Sequence, residues 1–140
     1  MEPWHLAHLV VLAAWGGLVA AEAVVELTAR TDEQRRHTAT IHYWMDLLVE
    51  LPLLAGVVVT GAVLVAQTWP LGTRELVKIG AGLAAVAANG LCVVHVVLRH
   101  RRASDRSDLA RHERAIRLSA AVGLPFAAVA LALGLTYLTQ

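Results

Sequence analysis

A single cysteine, Cys92, among 140 residues excludes an internal disulfide and leaves the redox compartment undefined. Charge is scarce as well: charged residues make up 16% of the chain against 57% hydrophobic, with a mean hydropathy of +0.58. The positive leading region of a signal peptide is missing, because Met1 to Pro3 carries an acid instead. The apolar run that follows is too long for a cleaved signal, so the first segment is expected to remain as a transmembrane helix. Low-complexity tracts and clear tandem repeats are absent too. So is the Glu-x-x-His repeat of ferritin-like di-iron bundles, which leaves iron without special support.

What is present is apolar sequence in four blocks, at roughly Trp4–Leu27, Ile41–Gln67, Leu76–Leu98 and Ile116–Leu138. Each is near or above the ~20 residues that cross ~30 Å of hydrocarbon as a helix. These blocks leave no room for a soluble domain, and the expected architecture is all-α, a single transmembrane domain forming a four-helix up-down-up-down bundle. Ten of the twelve Lys and Arg residues fall in two connections, Thr28–Thr40 and Arg99–Arg117. Arg-rich loops stay cytoplasmic, so both termini and the Thr68–Glu75 turn are expected outside. The basic loops are read as topology determinants that touch anionic lipid head groups, with no nucleic-acid role. Thr31, Asp32 and Thr40 are plausible caps near the second helix, Trp69-Pro70-Leu71-Gly72 reads as a tight turn, and Thr73 can begin the third helix. Pairs such as Gly16 and Gly17, Gly56 and Gly61, Gly80 and Gly82, and Gly123 and Gly134 offer small faces for helix packing, and a homodimer is compatible with them. Pro52 and Pro125 each remove a backbone hydrogen bond within a span; a kink at Pro52 would lie beside Glu50.

Acids inside apolar spans carry the functional signal. Glu22 and Glu26 are one helical turn apart, as are His42, Asp46 and Glu50, so each set projects from one helix face. His95 lies in the third span at comparable depth, with Cys92 and Asn89 somewhat deeper. Four carboxylates exceed the positive charge that Arg99 and His95 offer, and bare acids at that depth would have to take up protons. A divalent cation resolves the imbalance. Glu22, Glu26, His42, Asp46, Glu50 and His95 are therefore the expected metal ligands, in a cavity open to the cytoplasm; zinc, iron and copper are not distinguished. The fourth span supplies only Ser119, Thr136 and Tyr137, and reads as a lid or a lipid-facing wall.

The first helix carries a second pattern. The stretch His8-Leu9-Val10-Val11-Leu12-Ala13-Ala14-Trp15-Gly16-Gly17 resembles the opening helix of the CopD-like and HemJ-like membrane proteins, in which a histidine precedes a tryptophan by seven residues, followed by small residues. Lys78 resembles the lysine that HemJ-like proteins carry near the start of the third span. The resemblance implies a small membrane bundle, with copper handling ascribed to CopD-like members and haem-linked protoporphyrinogen oxidation to HemJ-like ones. On it, His8 would ligate haem b or act as a catalytic partner, with Lys78 as its companion. The segment from His42 to Pro52 matches neither group. Three functions thus follow as expectations: metal binding for handling or sensing, haem-dependent oxidation, and proton or ion translocation through Glu22, Asp46 and Glu50.

Overall fold

The computed structural model describes residues 3–102 and 106–135 and is helical nearly throughout. Its elements are α1 (Pro3–Thr28), α2 (Asp32–Met45), a π turn (Asp46–Glu50), α3 (Leu51–Gln67), α4 (Thr73–Arg101) and α5 (Arg106–Leu135). Among the described residues there is no strand. Four helices are long and apolar enough to cross a membrane: α1, the continuous run Asp32–Gln67, α4 and Ser107–Leu135. Thr136 and Tyr137 lie outside the described residues.

The chain divides into two compact units, Met1–Trp69 and Pro70–Gln140. The first is a helical hairpin. His8 pairs with Thr60, Trp15 with Glu50, and Glu22 with His42, so α1 runs antiparallel to the helix that follows it. Gly56 lets Val11 approach to 3.0 Å of where a Cβ would stand, and the ring of His8 lies 3.4 Å from the same point on Gly61. The second unit is the hairpin of α4 and α5, in which Gly123 sits against Ala88, 3.1 Å from where its own Cβ would be. Gly16, Gly17, Gly80, Gly82 and Gly134 meet nothing within 4 Å, so the close approaches involve only some of the glycines the sequence offers.

Two stretches that read as polar loops are largely helix. In the first, Thr31 forms a capping box: its hydroxyl accepts from the Gln34 backbone N–H at 3.2 Å, while the Gln34 side chain accepts from the backbone N–H groups of Thr31 and Arg30. Asp32 and Glu33 add acid to the first turn, which favours helix initiation there. Hydropathy detects only the apolar part of a helix, and α2 is the polar continuation of the second long helix. The run Asp32–Gln67 is about 54 Å long at 1.5 Å per residue, well beyond ~30 Å of hydrocarbon. In the second stretch, α5 begins at Arg106, because Leu109, His112, Glu113 and Ile116 form one buried helical face beneath the arginines.

The π turn between α2 and α3 has a local cause. Pro52 has no N–H to donate, and its ring crowds the carbonyl of the preceding turn. The chain responds by widening, with the Leu51 N–H bonded five residues back to the Asp46 carbonyl. Across this turn polarity separates sharply: Asp46 and Glu50 are 1% and 2% exposed, while Leu47, Leu48 and Val49 face outward. The outward apolar surface is large, including Val24, Leu48, Val59, Leu91 and Leu118, as a lipid-facing protein requires.

Candidate metal centre

The capping box fixes where the second helix starts and hence how far it must run before His42 reaches the inner face of α1. There the His42 ring lies between two acids of α1 and one of its own helix. Its Nδ1 is 2.6 Å from Glu26 Oε1; its Nε2 is 3.6 Å from Glu22 Oε2 and 3.3 Å from Asp46 Oδ1. His42, Glu22 and Asp46 are all buried. Each offers one ligand atom, and these three atoms lie within 4.8 Å of one another, a group found once among the described residues.

The two faces of the imidazole have different chemistry. Nδ1 makes the short contact to the Glu26 carboxylate, the arrangement that orients a ligating imidazole, and Nε2 faces Glu22 and Asp46. Three converging electron-rich groups repel one another in a dry setting unless a cation or a proton lies between them. One oxygen of Glu22, Oε1, is buried without a hydrogen-bond partner among the described residues, although the side chain is only 7% exposed. The spacing suits an ion: ligand atoms ~2.1 Å from a tetrahedral centre stand about 3.4 Å apart, and 3.3 and 3.6 Å lie either side of that value.

The remaining sequence-derived residues lie around or away from this group. Glu50 is buried one turn deeper, where its Oε1 accepts the Trp15 indole N–H at 3.1 Å. His8 is further along the same hairpin, with Nδ1 2.7 Å from the Thr60 hydroxyl. His95 belongs to α4 in the second unit, where its Nδ1 is 3.2 Å from Nδ1 of His112. Asn89, Cys92 and Lys78 are also on α4.

No protein family, curated protein or solved structure matches the chain.

Sequence reading missed His112 and the different parts played by Glu26 and Glu22. His112 was hidden because the arginines around it marked the stretch as loop. The three-four spacing of Leu109, His112, Glu113 and Ile116 was the signal that could have revealed it. For Glu26 the missing information was rotational: spacing along α1 puts Glu22 and Glu26 on one face but does not say which nitrogen of His42 each meets.

Proposed function

We propose that this chain is an integral membrane protein that binds one divalent transition-metal ion through Glu22, His42 and Asp46, with Glu26 orienting the histidine. The observation that carries the reading is the convergence of Glu22, His42 and Asp46, three buried side chains whose ligand atoms lie within 4.8 Å of one another, while Glu26 meets the other ring nitrogen of His42. A carboxylate on the far nitrogen of a ligating histidine is the usual support of a histidine–metal bond. Mixed imidazole and carboxylate ligation suits zinc, iron or manganese. Three protein ligands leave a coordination position for water or an exchanging ligand, which fits an ion that is delivered or sensed better than one that is locked in place.

The location agrees with handling of the ion from one side. Leu47–Gln67, the apolar part of the second span, is about 31 Å long, so Asp46 and His42 come at its edge. Glu22 lies about 9 Å before the end of α1 at Thr28. Both positions adjoin the Arg-bearing connection, which the positive-inside tendency assigns to the cytoplasm. A proton relay draws less support. Thr60 and Glu50 are ten residues apart on the helix, about 15 Å, with Leu54 and Val57 buried between them. The group bonded to Glu50, the Trp15 indole, only donates and cannot pass a proton onward.

Elemental analysis of the detergent-purified full chain, followed by Zn²⁺ titration of the chelator-stripped protein, tests the proposal. The expected result is close to one ion per chain, lost in Asp46→Ala. Protein that carries no metal and binds none on titration overturns it.

A further inference from the structure

The second hairpin holds a pair of ligand-type side chains that the acid–histidine group does not use. His95 projects from α4 and His112 from α5, with their Nδ1 atoms 3.2 Å apart and their ring centroids 5.4 Å apart at a 42° tilt. His112 is buried, while His95 is half-buried and gives an ion a way in. We propose that this pair is a second cation site, a two-imidazole chelate selective for Cu²⁺ over Zn²⁺.

The first argument is the bite distance. Two imidazole nitrogens ~2.0–2.1 Å from one ion and 3.2 Å from each other subtend about 99–106° at that ion. That angle lies between the right angle of a tetragonal site and the tetrahedral value, so the separation of the two nitrogens already matches that of a chelate. The second is proton balance. In the metal-free chain one Nδ1–H donates to the other ring's bare Nδ1. When a metal takes the space between them, that proton moves to Nε2 of its own ring, both rings become Nε2–H tautomers, and no net proton is released. The third is the donor type. Two neutral imidazoles without a carboxylate select ions high in the divalent affinity order, copper above nickel and zinc, and disfavour calcium and magnesium. Asp108, one turn before His112 and 3.7 Å from Arg102, supplies negative charge on the same helix. Waters complete the coordination shell.

The test uses the full chain in detergent with Glu22→Gln and Asp46→Asn, so that the first site is disabled and its failure is read separately. Cu²⁺ is the probe, and electron paramagnetic resonance counts the coordinating nitrogens. The expected result is one Cu²⁺ coupled to two nitrogens, with at least a tenfold loss of affinity in His95→Gln and in His112→Gln and no change in His100→Gln. Where His112→Gln fails to fold, His112→Asp keeps a ligand oxygen and is expected to show one nitrogen coupling in place of two. The proposal is overturned by a two-nitrogen signal that survives His112→Gln or His112→Asp, by a single coupling in the parent protein, or by no bound Cu²⁺.

Discussion

Along the seam of the first hairpin the buried residues include Trp15, Glu22, His42, Asp46, Glu50 and Thr60; in the second, α4 buries Ala81, Ala85, Ala88, Val93 and Val96, with Arg99, His112 and Glu113 at one end. Both hairpins are antiparallel helix pairs with a glycine at a close approach, Gly56 in one and Gly123 in the other. The difference lies in what occupies the remaining depth. Small side chains let helix backbones approach and gain dispersion contacts, which needs no further partner. Buried acids gain nothing by packing and stay ionised only when something positive meets them. One hairpin thus buries mainly small apolar side chains along α4, whereas the other gathers three acids around one histidine.

The comparison predicts opposite responses to isosteric change. Glu22→Gln together with Asp46→Asn removes the two anionic ligands but keeps shape, and Zn²⁺ affinity is expected to fall more than 100-fold, about 2.7 kcal/mol or more. Metal-free protein should lose no thermal stability and is expected to gain some, since the mutual repulsion of the buried acids around His42 is removed. Calorimetric titration with thermal unfolding in chelator reads both quantities. A double variant that binds Zn²⁺ as tightly as the parent removes the distinction between the hairpins.

Glu26→Gln sharpens it further, because Glu26 holds the histidine and does not face the proposed ion. The amide oxygen still accepts from Nδ1–H, but without charge, so His42 becomes a weaker ligand. We expect a 10- to 100-fold loss of Zn²⁺ affinity with one ion per chain still bound at saturation. Loss of stoichiometry would instead make Glu26 a ligand.

In the second hairpin the corresponding probe is steric. Gly123→Leu places a side chain where a Cβ already stands 3.1 Å from Ala88, and is expected to cost about 1–3 kcal/mol. Its thermal midpoint should fall while Zn²⁺ binding at the acid–histidine group is unchanged. If Zn²⁺ affinity falls equally, the two hairpins are not the independent units that their separate packing implies.

How much of this the sequence disclosed follows from which quantity each feature depends on. Spanning capacity depends on apolar length, so the four membrane-compatible helices were legible at once. The gathering of Glu22, His42 and Asp46 depends on i to i+4 spacing, and was legible for the same reason that helix faces are. The π turn was not: Pro52 announces a disturbance, but kinking, breaking and widening each relieve it, and a one-dimensional pattern does not choose among them. Nor were the true starts of α2 and α5. Hydropathy falls at Thr28 and rises again near Ile41, whereas the helix is restored earlier by the hydrogen bonds of Thr31 and Gln34. The pairing of His95 with His112 joins residues across a turn that composition marks as irregular, and no spacing rule spans such a turn.

The smallest expected effect tests whether that local start sets the distant site. Thr31→Ala deletes the hydroxyl that accepts from the Gln34 N–H, eleven residues before His42, and costs about 1 kcal/mol of helix stability. If the capping box merely ends a loop, the loss is confined to fraying of the first turn of α2, and Zn²⁺ affinity is untouched. If it sets the point from which the helix counts to His42, the frayed turn lets α2 shift against α1, the contact between His42 and Glu26 loosens, and Zn²⁺ affinity falls several-fold with stoichiometry intact. Hydrogen exchange at Gln34 and Arg35 measured beside Zn²⁺ titration separates these outcomes. We expect faster exchange and weaker binding together; faster exchange with unchanged affinity would confine the box to capping and leave the position of His42 to the packing of α3 on α1.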